Sequence, residues 1–325
     1  MTLTTMVPGD DVLPDVLPTE RLQPSGKPKP PLRDELRRIP SVRNAFTVLS
    51  CWAQAVAVIA VAVWLDNPFV WVAAFFLMGR SIVMFNILGH EAAHRLLFRN
   101  RRLNDGVGRW LLAYPVFQPL DLYRRIHFAH HRDEHGPDEP DHALYDGYPI
   151  TRASLRRKLT RDALGITGWK LLRGLFRGLR NPAARPVAIR ILATQAALIV
   201  LFTIAGHPWL YLFLWFLPYM TVWRVINRLR AIAEHGGMVR SADRRRTTHH
   251  VHQSLWARFW MVPYHTGWHL AHHVDMAVPW RQLPALHDEL GTSGWVTPRL
   301  EYPSYFALWR ALSSRGSTDC RAERD

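Results

Sequence analysis

Long apolar runs alternate along this chain with stretches crowded by arginine. Ala45–Leu65 (AFTVLSCWAQAVAVIAVAVWL) carries no charge. A helix needs roughly 20 apolar residues to cross a hydrocarbon core, so this run predicts a membrane span. Asp66-Asn67-Pro68 predicts a turn, and Phe69–Leu88 (FVWVAAFFLMGRSIVMFNIL) a returning helix interrupted only by Arg80. Arginine at mid-span is costly, and Arg80 is expected to face protein or a polar cavity. Ile191–Val222 repeats the pattern, broken at Gly206-His207-Pro208. Its halves reach spanning length if helix runs on through Arg185–Arg190 on one side and Trp223–Arg230 on the other. The pattern predicts an all-α integral membrane protein with four transmembrane helices in two hairpins.

Charge placement adds orientation. The turns at 66–68 and 206–208 hold no Lys or Arg, whereas the segment between the hairpins is crowded with arginine. By the positive-inside rule both tails and the long middle segment are expected to be cytoplasmic. Within that segment Trp169, Leu172, Leu175, Phe176 and Leu179 recur at helical spacing, flanked by Lys170, Arg173, Arg177 and Arg180. This reads as a basic amphipathic helix lying on an anionic membrane surface, with an ordinary packed surface helix as the alternative. Residues 1–40 are rich in Pro, Asp and Arg without apolar periodicity, and read as a mostly disordered tail. No basic stretch followed by an apolar run opens the chain, so no signal peptide is expected.

Composition narrows the class further. The chain has 325 residues, 48% of them hydrophobic, with a formal charge of +15. A basic surface suits nucleic acid or anionic lipid, and two lipid-embedded hairpins leave no expectation of nucleic-acid binding. The only cysteines, Cys51 and Cys320, lie far apart, so no disulfide framework or cysteine metal site is expected, in keeping with an intracellular-facing protein.

Seventeen histidines are the outlier. His90-Glu91-Ala92-Ala93-His94 is a literal H-E-x-x-H, the zinc-protease signature in which the glutamate acts as base. It does not stand alone. HFAHH supplies His127, His130 and His131, and HLAHH supplies His269, His272 and His273, with identical spacing. Positions i, i+3 and i+4 share a helix face. All three clusters fall where the topology places the cytoplasm. Neutral imidazole is a common ligand for Zn, Fe and Cu, and eight co-facing histidines exceed what one four-coordinate zinc takes. They suit two metal ions. A zinc protease would also need a distant membrane-embedded aspartate ligand, which the spans do not offer. A haem protein would place its histidines inside the spans rather than at their ends.

H-x-x-x-H followed by two H-x-x-H-H motifs around two hydrophobic hairpins resembles the membrane fatty-acid desaturase superfamily. The run HHRDEHGPDEPD (130–141), AEHGG (233–237) and VPWRQLP (278–284) are similar to that family's segments after its second box, its fourth span and its third box. The resemblance covers roughly residues 45–290. Two places depart from it: Gly267-Trp268 precedes the third box where the family often has Asn, and Val274-Asp275-Met276 follows it where an aromatic and a proline are common.

The resemblance implies a desaturase-like domain over 41–300, with a cytoplasmic helical cap carrying the boxes and a C-terminal tail over 301–325. It implies nine iron ligands: His90, His94, His127, His130, His131, His235, His269, His272 and His273. His235 rests on the resemblance alone. Glu91, Asp138, Asp141, Glu234 and Asp275 are candidates to orient ligand N–H groups. His249-His250-x-His252 reads as a solvated loop. The implied chemistry is O2-dependent oxidation of a fatty acyl chain at a di-iron centre, introducing a double bond. Hydroxylation and carotenoid ketolation use the same boxes and stay open. The acyl group is expected on a lipid, CoA or a carrier protein, in an apolar tunnel under the histidines. With no haem, flavin or dinucleotide fingerprint visible, electrons are expected from a separate ferredoxin, or a cytochrome with its reductase, docking on the basic face.

Overall fold

The computed structural model describes residues 6–315. It is mostly helical, and among the described residues one sheet is formed, pairing His250–Val251 in parallel with Glu301–Tyr302. The chain divides into two units: Ile39–Arg124 with Leu159–Asn227, and Met1–Arg38 with Arg125–Lys158 and Arg228–Asp325.

The first unit is the apolar one. Among the described residues three helical stretches are long and apolar enough to cross a membrane: Leu32–Leu65, Pro68–His94 and Arg185–Ile204. The first contains the continuous helix Ser41–Leu65, which ends at Asp66 in a left-handed conformation. The Asn67 side chain then accepts a hydrogen bond from the Phe69 N–H, and Pro68 occupies the first helical turn, so the expected reversal is built from a cap and a helix-starting proline. The helices turn Phe46, Val56, Trp64 and Phe69 outward, each more than half exposed, as a lipid-facing surface requires. Arg80 is half-buried and donates to Gln54 Oε1 at 3.2 Å, so a neighbouring helix receives the mid-span charge, as expected.

Irregular backbone in this unit is satisfied by side chains. Residues Gly108–Val116 wind through π and 3-10 turns. Carbonyls there accept from Trp52 (Leu111 O, 2.9 Å), Gln195 (Tyr114 O, 2.7 Å) and Trp215 (Pro115 O, 2.8 Å). In an apolar setting every such carbonyl needs a donor, which explains a buried glutamine and inward-turned indoles in otherwise apolar helices. The expected amphipathic helix forms over Ile166–Gly178. Leu172 is its buried contact, while Trp169 and Phe176 stay about half exposed.

The second unit corrects the reading of both ends of the chain. The stretch read as a disordered tail packs instead. Leu22, Leu32 and Leu36 enter one core with Leu270, Val274, Val278, Leu286, Leu290 and Trp295. Arg37 grips Asp275 with Nε and Nη2 at 3.1 and 2.9 Å. The segment lacks apolar periodicity because most of it is neither helix nor strand; side-chain and backbone contacts hold it. Likewise the 301–325 tail begins with a strand and the helix Tyr305–Leu312, in which Leu308 and Leu312 are fully buried. Residues 316–325, with Cys320, lie outside the described residues.

Candidate metal centre

The second unit holds seven of the nine expected ligands. The helix Leu120–Arg132 ends on the second box, so His127, His130 and His131 occupy its last turns. The six-residue helix His269–Val274 consists almost wholly of the third box. His235 is the last residue of the helix Val222–His235. Six of the seven are buried, and the side chain of His269 is only 12% exposed.

Their ring nitrogens meet. Nε2 of His131 lies 3.1 Å from Nε2 of both His127 and His272. Nε2 of His269 lies 3.1 Å from that of His235 and 3.0 Å from that of His273. Two groups emerge whose ligand atoms all lie within 4.8 Å of one another: His127, His131 and His272, and His130, His235 and His273.

The far nitrogens of three of these rings are anchored outward. His235 Nδ1 donates to the Thr247 carbonyl at 2.9 Å. His273 Nδ1 donates to Glu134 Oε1 at 2.5 Å, and His130 Nδ1 bonds Glu139 Oε1 in a very short contact. An imidazole that gives its Nδ1 proton away keeps the Nε2 lone pair free, which is the tautomer a metal needs. The network extends: Arg244 pairs with Glu134 and donates to the His131 carbonyl at 2.9 Å, and the buried Tyr145 hydroxyl donates to Glu139.

Electrostatics favour neutral rings at four of the seven. Burial lowers His235, His269 and His273 well below the ordinary histidine value, and neighbouring imidazoles push the same way. His272 falls to about 3 for the same reason. At His130 burial also lowers the value, but the bonded Glu139 carboxylate reverses it and the net shift is upward. Burial raises Glu134 despite Arg244. Neutral imidazoles packed Nε2 to Nε2, with one proton at most for each facing pair, leave lone pairs without donors. That donor set fits divalent metal ions, and two groups of three fit a pair of them.

His90 and His94 close the helix Pro68–His94 in the first unit, and their Nε2 atoms lie 3.2 Å apart. They face one way, as the i, i+4 spacing predicts.

The family model for fatty acid desaturases matches residues 65–295. The chain belongs to the fatty acid desaturase family. All nine expected ligands of this desaturase-family chain fall inside the matched segment. It is 23% identical over 218 residues to the sn-1 oleoyl-lipid 12-desaturase of Anabaena variabilis, covering 58% of this chain and 59% of that protein. It is 23% identical over 247 residues to the protein of the same description from Arthrospira platensis, 69% of this chain and 68% of that one. It is 30% identical over 134 residues to the temperature-sensitive sn-2 acyl-lipid omega-3 desaturase (ferredoxin) of Arabidopsis thaliana, 39% of this chain and 30% of that one. The chain thus spans less than two thirds of the Anabaena relative's length.

The orienting carboxylates differ from those expected. Asp275 pairs with Arg37, Glu234 pairs with Arg230 and comes no nearer than 3.9 Å to His269 Nε2, and Asp138 is exposed. Asp141 acts on His130 only through its field. Glu91 lies 3.7 Å from His90 Nδ1. Glu134 and Glu139 do the work, three and eight residues beyond the box in the acidic run after it. His249 and His250 are also corrected: both are buried, His249 against the Gly236 carbonyl at 2.8 Å and His250 in the strand paired with Glu301–Tyr302. Only His252 is exposed, as a solvated loop requires.

Proposed function

We propose that this protein inserts a double bond into a fatty acyl chain, using O2 and a di-iron centre. The observation that carries the reading is the set of buried imidazoles whose Nε2 atoms face one another, with His130, His235 and His273 tied outward through Nδ1. The proposed ligands are His90, His94, His127, His130, His131, His235, His269, His272 and His273; family membership and the three-box pattern support including the first two. When bound, the iron pair supplies O2 reduction coupled to cleavage of two C–H bonds on neighbouring carbons. The reaction balances with two electrons and two protons from those bonds, two electrons from an external donor and two protons from solvent, leaving two waters. The chain's own residues do the rest. Glu134, Glu139 and Thr247 hold the imidazole tautomers, and burial excludes bulk water from the ligand nitrogens.

Topology follows the same reading: four spans in two hairpins, with the irregular stretch beginning near Tyr211 and running into Val222–His235 as the fourth. The histidine boxes and both termini are cytoplasmic, in line with the arginine distribution. The substrate is proposed to be lipid-linked, because the relatives' names describe acyl-lipid desaturases. The donor is proposed to be a ferredoxin, which the Arabidopsis relative's name includes. A net charge of +15 favours an acidic carrier, and turnover with ferredoxin is expected to fall as ionic strength rises. Salt-independent turnover would remove the docking argument.

The deciding experiment is lipid profiling of a heterologous host expressing the wild type beside His272→Ala. A new alkene with the wild type and none with the variant supports the proposal. An alcohol or ketone in its place redirects it to hydroxylation or ketolation.

A further inference from the structure

The apolar stretch proposed as the fourth span is the irregular one. It winds as π-turns over Tyr211–Phe216, runs as a short helix Leu217–Met220, and breaks at Thr221 (φ −123°, ψ −79°) before Val222–His235 begins. Broken helices in membrane proteins mark places where backbone lines a binding site, and π-turns cluster at functional sites.

Arg224 stands just past this break, about nine-tenths buried. Its guanidinium lies over the Tyr219 ring at 4.2 Å, and that ring leans on Phe117 at 4.6 Å. Among the described residues its Nε and Nη2 have no hydrogen-bond partner. These two atoms form one edge of the guanidinium fork. Elsewhere in the chain the same edge grips a carboxylate: Arg109 holds Asp121 with Nε and Nη2, both at 2.9 Å. At Arg224 the fork is buried and empty-handed. Arginine stays charged under all ordinary conditions, and the tyrosine face offsets only part of what burial costs it. A planar oxyanion satisfies both free N–H groups at once.

We infer that Arg224 binds an anionic oxygen pair on the head of the acyl substrate, the carboxylate of a fatty acid or the phosphate of a lipid. The acyl nature of the ligand rests on the desaturase reading; the anion site rests on Arg224 alone. Tyr219 holds the guanidinium flat, and the neighbouring helix closes against the break, since a Cβ on Gly168 would come within 2.7 Å of the Met220 carbonyl oxygen.

The test is competition binding on the purified, iron-loaded full chain. Tritiated oleate and dioleoyl phosphatidylglycerol are compared with oleyl alcohol and dioleoylglycerol. The wild type is expected to prefer at least one anionic probe over its neutral counterpart by roughly tenfold or more. Arg224→Gln is expected to abolish that preference without changing neutral-probe binding, and Arg224→Lys, which keeps charge but loses the fork, to abolish most of it. Loss confined to oleate identifies a carboxylate site; loss confined to phosphatidylglycerol identifies a phosphate site. A wild type that binds charged and neutral heads alike overturns the inference without recourse to any variant. So does an Arg224→Gln protein with unchanged preference. A host that accumulates no alkene would defeat the desaturase reading and leave this preference intact, so the two failures are distinguishable.

Discussion

Glu139 and Glu134 set the tautomer of two histidines that the sequence pattern alone treats as equals of the rest. Each accepts the Nδ1 proton of a buried ring, and each is itself held, by Tyr145 or by Arg244. Removing such an acceptor frees the ring to flip or to present the wrong nitrogen. Glu139→Gln and Glu134→Gln are expected to weaken metal retention by about 10–100-fold. Iron content after graded chelator challenge measures this without turnover. The exposed Glu20 serves as the control and should show no change. The ligands were legible because i, i+3, i+4 spacing is a property of any helix. The carboxylates were not. Glu139 returns to His130 through a turn in which His135 takes a left-handed conformation (φ 58°), and no helical period extends through such a turn. The Arg224 fork was illegible for a related reason: only packing reveals that an arginine lacks partners.

At the scale of elements, apolar runs declared the helices Ser41–Leu65, Pro68–His94 and Arg185–Ile204, and caps placed their turn. What failed was the reading of segments without period. Leu36 is buried in the core under the third box, whereas Leu17, in the same polar-looking stretch, is 83% exposed. Leu36→Ala is expected to cost about 2–5 kcal/mol and Leu17→Ala close to nothing. Thermal unfolding of the two variants side by side checks it; equal melting temperatures would return the stretch to the status of a tail. The two-residue strand His250–Val251 was invisible for the same reason. Its partner lies some fifty residues onward, and pairing that short leaves no alternating pattern to read.

For the molecule as a whole, buried histidines tie stability to pH. An unfolded chain protonates histidine near its ordinary value of about 6.5. Folded, His249 does so only near 4 and His250 only near 3, because burial disfavours the charged ring. The folded values are depressed, so these groups lend stability that is complete above about 6.5 and lost as pH falls towards 4 and below. The expected outcome is progressive loss of stability across that window. Burial also disfavours the charged ring at the proposed ligands His235, His269, His272 and His273, so release of bound iron should coincide with unfolding. Circular dichroism and iron release followed together during acid titration test it. Iron leaving well before helical signal is lost would contradict the expectation.

One packing feature also bears on how the chain is made. Leu22, Leu32 and Leu36 are synthesised first among the members of their core, and Leu290, Trp295 and Val296 last. At about 5–20 residues per second, the early leucines wait on the order of tens of seconds for their partners. Meanwhile the apolar helices between them emerge and enter the bilayer. The early segment therefore stays undocked while those helices are made, and the core it shares with the third box closes only once Trp295 and Val296 have emerged.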